Sequence, residues 1–455
     1  MDEYDLVIVG GGSGNTIPDA RFDDWSIGFV ERETFGGTCL NRGCVPSKMF
    51  VHAAEVAHTM KHGDRFGVYG SFDHADWPAI RDRVFAHRID PIVADGGAYR
   101  AGRPNTTVYK GTAAFVDGTT LEVDGSRIRG RHLVLAAGSR PFVPKLPGLS
   151  DVRHRTSDTI MRIDDLPERL VILGGGVIAA EMAHVFDGLG AAVTIVLRGS
   201  CLLGGEDEEV QQAFTTEARR RFDIVTDAEN ISFTPAADGH FTVQGRTRGA
   251  DTFAREADLL LVATGRVPNS DELRVDVAGL ATDAMGRVVV DDQLRTNVPN
   301  VWAFGDLTAH HPLKHLANAE ARVVAHNLLH PDDPRTIDRQ NHPRAIFGSP
   351  QVAAVGMTDQ ELRAEGVPFL VGRCAYGSTA YGWAIEDRSS FAKVFVSPAT
   401  GLILGAHIMG PHASTLIQPL IQAMTLGTTA REVAEVMYIH PALSEVIENA
   451  LLDAR

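Results

Sequence analysis

The sequence predicts an α/β chain with two Rossmann-like dinucleotide-binding units and a C-terminal α+β unit, and three observations predict it. A short apolar run enters a glycine-rich turn, Gly10-Gly11-Gly12-Ser13-Gly14-Asn15. The same pattern returns at Gly174-Gly175-Gly176-Val177-Ile178-Ala179. From Ala345 onward the apolar runs read as strands at 351–355, 391–396 and 402–409, followed by helix. A length of 455 residues suits about three domains.

Residues 5–9 are branched and apolar, as a buried parallel strand requires. The turn after them brings backbone amides to a pyrophosphate, which marks Gly10, Gly12, Ser13 and Gly14 as cofactor-binding. The next strand, 27–30, ends at Glu31, where an acid meets a ribose hydroxyl. One departure stands out: Asn15 occupies the third glycine position, and Pro18 and Asp19 make the following segment a poor helix.

Next comes Gly36-Gly37-Thr38-Cys39-Leu40-Asn41-Arg42-Gly43-Cys44-Val45-Pro46-Ser47-Lys48, which holds two of only four cysteines. On a regular helix, positions five apart have Cα atoms roughly 8–9 Å apart. A disulfide needs about 7 Å or less, so Cys39 and Cys44 can pair only across a break, which Gly43 allows. Pro46 suits a first helical turn. Cys44 therefore falls at a helix N-terminus, a place that favours thiolate, with Lys48 one turn on. Two buried thiols, or half of a metal site, would give the same spacing. A metal site, however, usually shows a second pair, and Cys201 and Cys374 stand alone.

The helix expected over 46–61 places Met49, Val56 and Met60 on one face, read as core. Residues 62–110 read as polar and irregular, with a helix over 78–87. Gly111-Thr112-Ala113 begins a hairpin, and the strand over 133–137 ends in a turn at Gly138. Pro144, Pro147 and Gly148 suit a linker. The second glycine turn marks Gly174, Gly176, Val177 and Ile178, followed by Glu181, for a second dinucleotide. Arg198 ends the next strand, where an acid would read NAD and an arginine can take a 2′-phosphate; a solvated strand-end charge is the other reading. Residues 330–342 read as a linker, and Tyr376, Tyr381 and Trp383 as core aromatics. Near the end, His440 precedes Pro441, which is expected to start a helix, and Glu445 stands five positions on, able to orient the imidazole.

A net charge of −15 argues against nucleic-acid binding. No apolar run approaches the ~20 residues of a membrane span. A strand follows Met1 almost at once, so no signal peptide is expected. The dithiol then belongs to a reducing compartment, and a cytoplasmic location is expected.

The thirteen-residue cysteine string, and the order of motifs around it, resembles the class I pyridine nucleotide–disulfide oxidoreductases along essentially the whole chain. The resemblance implies a glutathione reductase-like fold: an FAD-binding domain over 1–142 with a redox disulfide, an NAD(P)H-binding domain over 143–266, a central domain over 267–335 completing the FAD site, and an interface domain over 336–455. It adds Gly37, Thr38, Lys48, Ala113, Gly138, Asp306 and His315 to the FAD site and Gly265 to the hinge, although Lys314 and His315 could equally lie on the surface. It implies a Cys39–Cys44 disulfide, with Cys44 nearer the flavin and Cys39 nearer solvent. Lys48 and Glu181 are implied as a pair beside the flavin, and His440 with Glu445 as an acid/base pair acting across a homodimer. A small-molecule disulfide is the implied substrate. NADPH is favoured over NADH, although the second basic residue of NADPH-specific members is replaced by Gly204. An NAD-linked dihydrolipoamide dehydrogenase, a glutathione reductase-like enzyme and a non-catalytic redox sensor remain alternatives.

Overall fold

The computed structural model describes residues 1–237, 239–339 and 341–455. Gln340, inside the expected 330–342 linker, lies outside the described residues. Strand Asp2–Val9 is central to a seven-stranded sheet, parallel to Ile27–Glu31 on one side and Ser126–Leu135 on the other. Thr106–Lys110 extends one edge in parallel. Ala113–Phe115 and Thr120–Val123 form the expected hairpin on the other edge. Val301–Ala303 also pairs in parallel with Ser126–Leu135, so the chain returns to its first sheet 166 residues later (301 − 135 = 166). Leu6, Val7 and Ile8 are fully buried, which is why the strand reads as unbroken apolar sequence.

The second sheet is five parallel strands, ordered Asp223–Val225, Ala192–Val196, Arg169–Leu173, Leu259–Val262 and His154–Thr156. Two crossing segments, Ser139–Pro141 and Arg266–Pro268, pair antiparallel where the chain leaves the first unit and comes back. The C-terminal unit is a five-stranded antiparallel sheet with helices packed on it.

Four expectations change. The Cys44–Lys61 helix buries Pro46, Ser47, Phe50, Val51, Ala54 and Ala57, while Val56 and Met60 are half exposed. Its buried stripe is fixed by the Val177–Leu189 helix, where a Cβ on Gly188 would stand only 2.8 Å from the Ala54 Cβ. The 62–110 stretch is largely helical: Trp77–Val84 leads through one wide turn into Asp90–Ala101. Gly96 and Gly97 hid that second helix, since glycine weakens a helix without forbidding it. Tyr376 is buried, but Tyr381 and Trp383 are exposed, with the Trp383 indole donating to the Gly377 carbonyl at 2.8 Å. Finally, the last helix, Glu445–Leu452, starts four residues after Pro441. No helix among the described residues is long and apolar enough to cross a membrane.

Candidate functional site

The first glycine turn and the cysteine segment are pressed together. Gly10 has φ +109°, and a Cβ there would overlap the Ala136 carbonyl. Gly37 has φ +59°, and its Cβ would come within 2.6 Å of the Gly12 Cα. Only glycine permits this cradle, whose exposed surface is backbone rather than side chain. That is the fit a dinucleotide pyrophosphate requires, and Gly10, Gly12, Ser13, Gly14, Gly37 and Thr38 line it. The Glu31 carboxylate closes it at the strand end, accepting from the amides of Gly11 at 2.6 Å and Glu33 at 2.8 Å. Farther along, Gly138 has φ +69°, and Asp306 accepts from the Ser139 hydroxyl at 2.7 Å. Ala113 is buried in its strand. The His315 imidazole turns away from the cradle to the Pro343 carbonyl, 2.6 Å away.

Gly43 separates helix Gly37–Arg42 from helix Cys44–Lys61, and a Cβ on it would meet the Thr38 carbonyl at 2.9 Å. This break sets Cys39 and Cys44 on either side of the joint between the two helices as free thiols. The helix begins at Cys44, whose amide favours thiolate at both sulfurs, and the Val45 amide favours it at Cys39. The bond from Cys44, the Lys314 cation and those two amides lower the Cys39 pKa from 9.0 to about 7, against the opposing effect of burial. Cys44 moves upward, because it donates to Cys39, is crowded by protein and faces Glu181. Cys44 is also the more exposed of the two.

Among the described residues no ion pair joins Lys48 to Glu181. The Lys48 ammonium lies 4.2 Å above the Phe347 ring, and Glu181 accepts from the Phe347 amide at 3.1 Å. Burial pushes the Glu181 carboxyl up, opposed by that amide and by the nearby Lys48 charge. Phe347 therefore links the two groups, and no motif in the sequence announced it.

The second turn repeats the first with less around it. A Cβ on Gly174, at φ +127°, would overlap the Ala263 carbonyl, whereas Gly176 and Gly265 face open space. Gly176 caps helix Val177–Leu189, whose first residues, Val177 and Ile178, stand at the turn. Arg198 is exposed, with no hydrogen bond or ion pair to the described residues, and Gly204 beyond it is exposed too. This surface fits a second dinucleotide.

His440 Nδ1 lies 2.7 Å from Glu445 Oε1, and Glu445 Oε2 accepts from the Ala442 amide at 2.9 Å. Two bonds thus fix the carboxylate, and the bond to His440 lowers its pKa first. The imidazole is 70% exposed and sits among exposed Val436, Met437 and Ile439, the second of them 98% exposed. An apolar face of this kind around an oriented histidine has the character of an interface.

The pyridine nucleotide-disulphide oxidoreductase family model matches residues 4–322, and its dimerisation-domain model matches 342–451. The chain is 46% identical to a mycothione reductase from Mycobacterium tuberculosis, covering 100% of both. It is 32% identical to a dihydrolipoyl dehydrogenase from Chlamydia pneumoniae, covering 99% of this chain and 97% of that protein. Among solved structures, the HOCl-induced flavoprotein disulfide reductase RclA from Escherichia coli superposes with a TM-score of 0.85 at 27% identity, covering 99% of both chains.

Proposed function

The chain belongs to the pyridine nucleotide-disulphide oxidoreductase family and is a flavoprotein disulfide reductase, and from that premise we propose that it reduces mycothione to mycothiol with electrons from NADPH. The observation that carries the reading is the Cys39 and Cys44 thiol pair set against the first glycine turn. Support for this substrate comes from the full-length similarity to a mycothione reductase. The stretches Gly12–Asn15, 198–203, 313–322, 380–384 and 414–424 resemble that enzyme, and the arginine nearest after the first turn, Arg21, pairs with Asp19 rather than standing free to clamp a carboxylate. Arg198, exposed and unpaired at its strand end, supports NADPH over NADH.

FAD would be held by the Gly10–Gly14 and Gly37–Thr38 cradle, with Glu31 and Asp306 at its ends and Lys48 beside it. A bound flavin supplies two-electron transfer between nicotinamide and sulfur. The chain's own residues then perform the exchange. The Cys39 thiolate attacks one sulfur of the substrate, forming a mixed disulfide and breaking the substrate S–S bond. His440 of the partner subunit, held by Glu445, gives the departing thiolate its proton. Cys44 loses its proton and attacks the Cys39 sulfur, which releases the second thiol. Two electrons and two protons have then passed to substrate, and a Cys39–Cys44 disulfide remains.

The test is steady-state NADPH oxidation with mycothione, glutathione disulfide and lipoamide side by side. Mycothione is expected to give the highest kcat/KM, and faster turnover of lipoamide with NADH would overturn the reading. His440→Ala should spare flavin reduction and slow reoxidation by substrate about 10²–10⁴-fold. Heterodimers pairing Cys39→Ser with His440→Ala should recover one composite site. Heterodimers no more active than their parents would place the base within its own chain.

A further inference from the structure

We propose that the C-terminal unit positions the dinucleotide loop of the second unit through two buried ion pairs, Arg344 with Glu206 and Lys393 with Asp207. The loop runs over 198–206, from Arg198 at the strand end to the helix Glu208–Ala218. Midway it touches the second glycine turn, where the Leu203 amide donates to the Gly175 carbonyl at 2.7 Å. Leu203 is buried and has φ +58°, a conformation that a bulky side chain keeps only where its surroundings hold it. The groups that hold the far end of the loop come from another unit.

Asp207 caps the helix, its Oδ1 accepting from the Glu209 amide at 3.1 Å. Lys393, on the strand Phe391–Val396 of the antiparallel sheet, donates to both Asp207 oxygens, at 3.0 and 3.2 Å. Oδ2 also accepts from the Asp359 amide at 3.2 Å. One residue earlier, Arg344 Nε donates to both Glu206 oxygens, at 2.8 and 3.0 Å. The Glu206 carbonyl accepts from the Gln360 side chain at 2.8 Å. Arg344, Asp359, Gln360 and Lys393 all belong to the C-terminal unit. Asp207 is fully buried, and neither Glu206 nor Lys393 is more than 6% exposed. Buried ions lose solvation, and apolar residues of similar size often join two surfaces as firmly. What the directed bonds add is a fixed place for residues 206 and 207. The bond to Gly175 lies only three residues back (206 − 203 = 3), and Arg198 stands at the other end of the same loop. The sheet that carries Lys393 therefore sets the shape of a loop in a different unit. This inference rests on the reading of the second turn and Arg198 as the NADPH site.

The test uses the FAD-bound enzyme and needs no disulfide substrate. Binding of NADP⁺ and NAD⁺ is measured by calorimetry, and reduction of the flavin by NADPH is followed in stopped flow. Lys393→Met should weaken NADP⁺ binding about tenfold and raise the NADPH concentration for half-maximal flavin reduction by the same factor. The limiting rate of reduction should stay within about twofold of wild type, because hydride transfer from the bound nucleotide is untouched. Arg344→Met should act in the same direction, and Arg344→Lys, which keeps the charge, should lie within about threefold of wild type. A folded, yellow Lys393→Met enzyme with wild-type NADP⁺ affinity overturns the proposal. So does a limiting rate that falls as far as the affinity, since general loosening rather than loop position would then be responsible. Should Lys393→Met yield no folded flavoprotein, Arg344→Met at the less buried pair decides by the same two readouts. A wild-type enzyme that binds NAD⁺ more tightly than NADP⁺ overturns only the NADPH reading, and the tenfold weakening is then sought with NAD⁺.

Discussion

The two glycine turns begin alike and then part. Each follows a buried parallel strand, and each has a first glycine at positive φ that lies against a neighbouring backbone carbonyl. After the second turn, buried Ala179 permits close packing, and a helix runs from Val177 to Leu189. After the first, Asn15 takes that place and the chain makes only two short 3₁₀ turns, Ser13–Thr16 and Ala20–Phe22. Arg100 does what helix hydrogen bonds would otherwise do. Its guanidinium donates to Asn15 Oδ1 at 2.8 Å, the Asn15 carbonyl at 2.9 Å and the Pro18 carbonyl at 3.3 Å. It is 4% exposed, has no carboxylate partner among the described residues, and burial lowers its pKa. A dinucleotide turn thus needs its glycines and its strand more than it needs a regular helix, provided the freed carbonyls find donors.

The sharpest way to break this comparison is to substitute the shared first glycine in each turn. Gly10→Ala should yield a colourless protein with activity down about 100-fold or more, from a clash and strain of about 3 kcal/mol. Gly174→Ala should stay yellow and instead raise KM for NADPH by a similar factor. Flavin loss from Gly174→Ala, with Gly10→Ala still yellow, would exchange the two assignments.

Arg100→Leu probes the donor that the second turn does without. Carbonyl oxygens buried without partners should destabilise the first unit by about 2–4 kcal/mol, seen as earlier flavin release in urea, with KM for NADPH unchanged. A change below about 0.5 kcal/mol would show that the guanidinium is not holding the turn.

Arg198→Glu tests the charge that the second turn alone carries. Loss of a charge-assisted phosphate contact should lower the NADPH-to-NADH preference about 10–100-fold. An unchanged ratio would remove Arg198 from the site. The smallest effect is expected from Asn15→Gly. It restores the missing glycine but deletes one acceptor for Arg100, and a loss of about 1 kcal/mol is expected in the same urea experiment. Stabilisation would mean that the Asn15 side chain is dispensable and that the backbone bonds of Arg100 suffice.

Features governed by neighbours along the chain are legible in the sequence itself. Both strand–glycine turns are of this kind, as are the break at Gly43, the reach of Glu445 to His440 and the hairpin after Gly111. Each depends on φ, on helix spacing or on a few residues of separation, and residue type alone constrains those. The misreadings fall where a distant element decides. Val56 and Met60 read as core, but the Val177–Leu189 helix fixes the buried stripe elsewhere. Lys48 and Glu181 read as a direct pair, whereas each also contacts Phe347, one over its ring and the other at its amide. Asn15 reads as a defect, but Arg100 reaches it from 85 residues away. The site's electrostatics belong to the same class. The charge around the two sulfurs depends on the turn at Gly43 and on groups distant along the chain, Glu181 and Lys314 among them. Local sequence determined which groups are present and how the nearest of them are spaced. Only the tertiary structure decided which of them share an electric field, because that field falls off with distance in space and takes no account of distance along the chain.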